Sequence, residues 1–189
     1  MIEITKEKLK QVCNISERNL NTFIPILSPT LDRYQINTVE RVACFIAQVA
    51  HESGAFHYVR EIASGKAYEG RKDLGNTQAG DGVKFKGRGL IQTTGRTNYR
   101  DVSLFLFNDE RLLTNPELLE QPQYALDSAC FYWKRKDLNS ICDKDSNWRT
   151  AFKGKPRDKF EWLTIKINGG LNGYADRLQY YRKAQKVFA

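Results

Sequence analysis

Eight of the thirteen glycines, at positions 65, 70, 75, 80, 82, 87, 89 and 95, crowd into one stretch near the middle of the chain. Each glycine costs a helix about 1 kcal/mol relative to alanine, so no continuous helix is expected there. Turns, short strands and close approaches of backbone to a ligand take its place. On both sides the pattern is helical. Thr5 to Cys13 reads as a first helix, and a second begins near Asn37, where Asn37 and Glu40 have capping-box spacing. In that second helix Val39, Val42, Ala43, Ile46, Val49 and Ala50 recur at three- and four-residue steps. Cys44 lies off this stripe, which makes the middle of the helix apolar nearly all round and predicts deep burial. Beyond the glycines, Pro122 opens a helix that buries Ala125, Leu126, Ala129, Cys130 and Trp133. Asp158 and Glu161 give another capping-box spacing, and that helix stops at Gly169-Gly170. A last helix carries Leu178, Tyr181 and Phe188. The expected fold is mainly α, within an α+β class: a helical bundle with a small irregular β/glycine-rich wall flanking a groove, in one domain over residues 1–189.

Composition excludes several classes. The 22 aromatic residues (10 Phe, 9 Tyr, 3 Trp) are too many for a disordered chain. Val42–Ala47 is the longest purely apolar run, far short of a bilayer span. Cys13, Cys44, Cys130 and Cys142 form no Cys-x-x-Cys pair, and His51 and His57 are the only histidines, so no metal site and no cofactor are expected. Met1-Ile-Glu-Ile-Thr-Lys-Glu-Lys lacks the basic-then-apolar layout of a signal peptide. The thiols are accordingly read as reduced, and the chain as made in the cytoplasm. The formal charge of +8 favours anionic surroundings, a cell wall or a membrane surface approached peripherally. No zinc finger, RNP motif or basic arm accompanies the basic region from Lys134 to Arg157, so nucleic acid is not an expected partner. A monomer is expected.

Four local features carry chemistry. His51-Glu52-Ser53-Gly54 ends the second helix, Glu61 follows nine residues after Glu52, Gly87-Arg-Gly-Leu-Ile-Gln-Thr-Thr94 closes the glycine segment, and Ile167-Asn-Gly-Gly170 ends a later helix. Glu52 borders the buried face and sits in the negative last turn. Both settings disfavour the charged carboxyl, the condition a general acid requires. In one unbroken helix Glu61 would stand on the opposite face, about 13.5 Å further along. A bend at Ser53-Gly54 brings it back. Two carboxyls about 6.5–9.5 Å apart leave room for a water, the inverting arrangement for glycoside hydrolysis. Glu69, in Tyr68-Glu69-Gly70-Arg71, is the competing second carboxylate. Gly87–Thr94 fails as a phosphate loop, since five residues separate Gly89 from Gly95 and Arg96 stands in the lysine position. It reads instead as a strand-like floor with Gln92 and Thr94 on one face.

In order and spacing, His51-Glu52-Ser53-Gly54, Gly80-Asp-Gly82, Gly87-Arg-Gly-Leu-Ile-Gln92, Thr94-Gly95, Asn98-Tyr99 and Ile167-Asn-Gly-Gly-Leu-Asn-Gly173 resemble the family 19 glycoside hydrolases, the lysozyme-like fold of chitinases and phage endolysins. The resemblance spans roughly residues 38–185, and its compact form is closer to the phage and prophage lytic enzymes. It implies that Glu52 is the general acid, Glu61 the general base, and Thr94 the residue that orients the attacking water. It further implies sugar-contacting or acid-supporting positions at Gln92, Asn98, Asn168 and Arg177, groove-lining rings at Tyr99 and Tyr68, and His51 as a donor beside the acid. Ala55 stands where a second glycine is common, and Thr93 where leucine is usual. The implied substrate is the glycan strand of peptidoglycan, reached when the enzyme leaves the host cytoplasm, with no separate wall-binding domain. A chitinase and a non-catalytic wall-binding protein are the alternatives.

Overall fold

The helix that ends in Glu52 is the axis of the molecule. In the computed structural model, which describes residues 1–189, this helix (α3, Val39–Glu52) is the third of ten, and every residue from Val42 to Ala50 is buried. α1 (Lys6–Val12) and α2 (Glu17–Arg33) precede it; α4 (Asp81–Lys84) and α5 (Arg96–Phe107) belong to the glycine segment and its exit. α6 (Arg111–Thr114), α7 (Pro122–Arg135) and α8 (Leu138–Cys142) follow. An antiparallel hairpin, β1 (Thr150–Phe152) and β2 (Lys155–Arg157), then leads to α9 (Lys159–Asn168) and α10 (Tyr174–Phe188). α3 lies along α10 over most of its length. Phe45 meets Trp133 of α7 edge-on with ring centroids 5.2 Å apart. Burying each such side chain contributes about 2 kcal/mol.

Several sequence expectations hold. Ala125, Leu126, Ala129, Cys130 and Trp133 are all fully buried on α7, which starts at Pro122. The Asp158–Glu161 capping box is present in both directions, and α9 stops at Gly169 in a left-handed turn. All four cysteines are free and buried. No helix is long and apolar enough to cross a membrane.

Three expectations are corrected. The cap of α3 is Thr38, whose side chain accepts from the Arg41 amide; Asn37 instead donates to Asp32, and Glu40 turns to Tyr181, Gln185 and Lys159. α2 was not expected at all, and it runs through Pro25 and Pro29. Each proline removes one helix donor. Leu20, Phe23, Leu27 and Leu31 bury one face of α2 and outweigh that loss. Finally, the glycine wall holds no strand: Gly87–Thr94 is a tight reversal closed by mutual backbone bonds between Arg88 and Thr93 (3.1 and 2.7 Å). Gln92 takes φ +53 within it, so Gln92 and Thr94 do not alternate as on a strand. The true hairpin lies elsewhere, at residues 150–157.

The bend after α3 is built from backbone of unusual hand. Gly54, Ala55 and Phe56 take φ values of +58, +57 and +65 in succession. The two non-glycine residues cost about 1 kcal/mol each in this conformation. Phe56 repays it by full burial against Phe23, and Ser53 Oγ spans the turn, accepting from the Phe56 amide at 2.8 Å. The left-handed backbone at Ala55 is a physical reason for glycine to be usual there.

Burial divides into a main cluster, which includes α3, α7 and α10, and a small one of Phe85, Tyr99, Val102, Leu112 and Leu119. The groove opens where they meet. Ile91 and Tyr132 pack on the main cluster, Phe131 packs on the small one, and together with Val102 they line one hollow.

Candidate active site

The end of α3 is clamped by two successive residues of α10. Arg177, 2% exposed, donates from Nη2 to Glu52 Oε1 at 2.6 Å and from Nη1 to Gln48 Oε1 at 2.5 Å. Gln48, one turn before Glu52 and itself fully buried, donates to Thr164 of α9 at 3.1 Å. Next to Arg177, Asp176 meets His51 Nδ1 at 2.7 Å. The His51 ring lies flat against Gly173, where an added Cβ would come within 2.4 Å of Nε2. Glu52 is therefore not the unpaired carboxyl expected at a buried border. Its side chain is 25% exposed, with Oε1 fixed on a guanidinium. Arg177, for which the resemblance implies a sugar-contacting or acid-supporting place, is buried and holds Glu52. His51 faces Asp176 and does not donate to Glu52.

Glu61 is held from the other side of the bend. Its amide donates to Gly87 O at 2.9 Å, its Oε2 accepts from Gly87 N at 3.0 Å, and its Oε1 accepts from Tyr68 OH at 2.9 Å. Burial raises the Tyr68 phenol above its ordinary pKa, and the bond to Glu61 adds to the effect, so Tyr68 stays protonated and donates. A Cβ on Gly87 would stand 2.6 Å from Gln92 Oε1 and 3.2 Å from Glu61 Oε2, so only glycine lets these two side chains flank one spot. Glu69 has a different task. Its two oxygens accept from Gly80 N and Gly82 N, both at 2.8 Å, pinning the loop before α4.

A hollow of about 260 Å³ is lined by Gln92, Thr94, Asn98 and Tyr132 among others; neither Glu52 nor Glu61 lines it, and Glu61 borders a separate opening with Tyr58, Arg60, Lys86 and Glu120. The Gln92 amide donates to Gly89 O at 2.9 Å, which leaves its Oε1 toward Glu61. Thr94 Oγ1 donates to Gln92 O at 2.9 Å and keeps its lone pairs free to accept. Asn98 donates to Thr94 O at 2.8 Å from the first turn of α5. Tyr132 lines the hollow and lies within reach of the Glu52 charge: burial first and that charge second raise its phenol above the ordinary range, and its OH lies 3.4 Å from both Lys166 O and Ile167 O. Asn168 is exposed on that same helix end.

The structure thus gathers Glu61, Tyr68, Gln92, Thr94 and Asn98 around Gly87 and its reversal, with Tyr132 of the hollow within reach of the Glu52 charge. It does not bring Tyr99 to the groove. Tyr99 is wholly buried, its OH donating to Lys86 O at 2.6 Å and accepting from Arg88 Nη1 at 2.9 Å, a strut behind the wall. Two functional neighbours escaped sequence reading. Gln48 left a signal, a lone amide in an apolar helix four residues before Glu52. Tyr132 left none, because it sits in an aromatic-rich helix whose register against α9 is a tertiary matter.

Among solved structures, chitinase C from Streptomyces griseus superposes with a TM-score of 0.67, covering 99% of this chain and 77% of that one at 21% identity. A class IV chitinase from Zea mays superposes with a TM-score of 0.59 at 19% identity, over 98% of this chain and 81% of that one. These likenesses define the fold: the α-rich, lysozyme-like architecture on which glycan-cleaving enzymes are built. No model of a protein family matches. By sequence, the chain is 28% identical over 171 residues to a glycosyl hydrolase family 19 domain-containing protein of Haemophilus influenzae, covering 74% of this chain and 76% of that protein. It is 36% identical over 160 residues to an endochitinase of Arabidopsis thaliana, covering 80% of this chain but half of the plant enzyme's length. The chain is thus similar in sequence to family 19 glycosyl hydrolases and shares the fold of family 19 chitinases.

Proposed function

We propose that this chain hydrolyses the glycan strand of peptidoglycan by acid–base catalysis, as a lytic enzyme of the endolysin kind. Similarity in sequence to family 19 glycosyl hydrolases supports the reaction class. The observation that carries the residue roles is the separate anchoring of two carboxylates, Glu52 by Arg177 and Glu61 by Tyr68 and Gly87. In this mechanism Glu52 Oε2, the oxygen not tied to Arg177, carries the proton to the glycosidic oxygen. Glu61, kept in place by two donors, removes a proton from water. Thr94 Oγ1 accepts a hydrogen bond from that water and so aims it at the anomeric carbon, with inversion. The leaving sugar departs with a free hydroxyl, and Glu52 and Glu61 exchange their protonation states through solvent. Gln92, Asn98 and Asn168 contact the sugar. The net charge of +8 supports an anionic wall as the polymer.

Purified protein assayed on isolated cell walls and on soluble chitin oligomers tests this reading. Glu52→Gln is expected to abolish release of reducing ends while leaving the fold intact, and Glu61→Gln to lower turnover by at least about 100-fold. Glu69→Gln is expected to loosen the loop at residues 80–82 and lower stability, with less effect on turnover than Glu61→Gln. Parent-like activity in Glu52→Gln would refute the acid. Loss in Glu69→Gln with Glu61→Gln unchanged would move the base to Glu69. Hydrolysis of chitin oligomers with intact walls left untouched would make the protein a chitinase.

A further inference from the structure

The hollow beside Thr94 has a composition that cleavage of a neutral sugar chain does not require. None of its twelve lining residues is acidic. Leu74, Ile91, Val102 and Phe131 make it apolar, and Arg135 and Lys136, at the end of α7, give it two cations. Arg135 is already engaged, donating to Asp101 Oδ2 at 2.8 Å. Lys136 is not: it makes no ion pair, and its Nζ stands 5.9 Å from the centre of the Tyr132 ring. Lys136 is exposed at the rim of the hollow, where its unpaired ammonium can reach an anion that enters. Chitin offers only neutral N-acetylglucosamine, which gains nothing from that charge. Peptidoglycan differs by a lactyl ether on alternate sugars, bearing a methyl group and then an acidic peptide stem. The methyl matches the apolar lining and a carboxylate matches Lys136. At about 260 Å³ the space holds a few heavy atoms of that substituent, and not a folded partner.

We infer that the Lys136 end of this hollow is the subsite for the carboxylate-bearing substituent of the muramic sugar, with Lys136 as the cation that selects peptidoglycan over chitin. The inference rests on the glycan-hydrolase reading above and names what distinguishes its substrate.

The test is a ratio of kcat/KM values: stem-bearing wall glycan over chitin oligomer, for the parent, Lys136→Glu, Lys136→Gln and Lys136→Arg. A third substrate, wall glycan stripped of stems by an amidase, carries the lactyl carboxylate alone. Lys136→Glu is expected to lower the wall-to-chitin ratio about tenfold, mainly through KM, with Lys136→Gln between and Lys136→Arg near the parent. In stem-bearing glycan the lactyl carboxyl is tied up as an amide, so an effect there belongs to a stem carboxylate, and it persists on stripped glycan only if the freed lactyl carboxylate takes its place at Lys136. An unchanged ratio in Lys136→Glu, with the parent cleaving walls, overturns the inference alone. Equal losses on wall and chitin would also overturn it, as damage to the fold or to catalysis. A parent that cleaves chitin and never walls overturns the peptidoglycan reading and this subsite together.

Discussion

Removing the guanidinium at Arg177 is the sharpest single perturbation of this site. Arg177→Met keeps most of the buried stem but strips both donors. Gln48 Oε1 then has no partner, and Gln48 cannot turn away, because its amide is held by Thr164. A buried acceptor left unsatisfied costs about 1–3 kcal/mol. Glu52 loses its counter-charge as well, but a quarter of its side chain meets water, so that loss adds only about 1 kcal/mol. The total is roughly 3 kcal/mol, a fall in melting temperature of about 6–12 °C for a chain of this size. Turnover should fall further than stability implies, by about 100-fold, because Glu52 no longer has a fixed direction. Arg177→Lys keeps the charge without the fork that reaches Gln48 and Glu52 together, and should recover part of the stability and little of the rate. Calorimetry on Arg177→Met, Glu52→Gln and the double variant measures the coupling, expected to be at least about 1 kcal/mol. Strict additivity, or an Arg177→Met protein that melts and turns over like the parent, would refute the clamp.

Three further outcomes follow from the same geometry. Gly87→Ala places a methyl 2.6 Å from Gln92 Oε1 and 3.2 Å from Glu61 Oε2, and should cut turnover on wall glycan by at least about tenfold as both side chains shift; parent-like rates would show that the two groups need not be held together. Tyr68→Phe removes one of the two side-chain-level donors to Glu61 and should lower turnover by about tenfold with a small change in melting temperature, read by steady-state kinetics and thermal melts. Asp81, 1% exposed, accepts from Arg96 at 2.8 and 2.6 Å, and the Arg96 bond holds its carboxyl below the ordinary 3.8 against the opposing effect of burial. A depressed folded value means that the stabilisation is complete above the ordinary value and is lost as pH falls through the folded one. Asp81→Asn should cost about 3 kcal/mol near pH 7 in urea unfolding, and the gap to the parent should narrow below about pH 4; a gap that stays constant with pH would show that the ion pair is not its source.

Local patterns exposed much of this molecule in advance. The apolar stripe of α3, the proline that opens α7, the capping box of α9 and the break at Ser53-Gly54 all depend on neighbours within a few residues. α2 was hidden because local rules penalise Pro25 and Pro29, while the core that absorbs Leu20, Phe23, Leu27 and Leu31 comes from distant chain. The strand-like reading of Gly87–Thr94 failed for a similar reason. Alternation of residue types suggests a strand, but the two-way bond between Arg88 and Thr93 and the left-handed Gln92 fold the segment back on itself.

By itself, then, the sequence determined which residues supply acidic, amide and hydroxyl groups, where the helix bearing Glu52 ends, and where the chain must turn. Those properties are fixed over a few bonds by side-chain type, glycine and periodicity. Only the tertiary structure decided what each group faces: Arg177 against Glu52 across 125 positions, Tyr99 behind the wall instead of in the groove, Lys136 unpaired beside an acid-free hollow. Such pairings arise when helices far apart in the chain bury their apolar faces together, and burial fixes the polar neighbours as a by-product that no local pattern encodes.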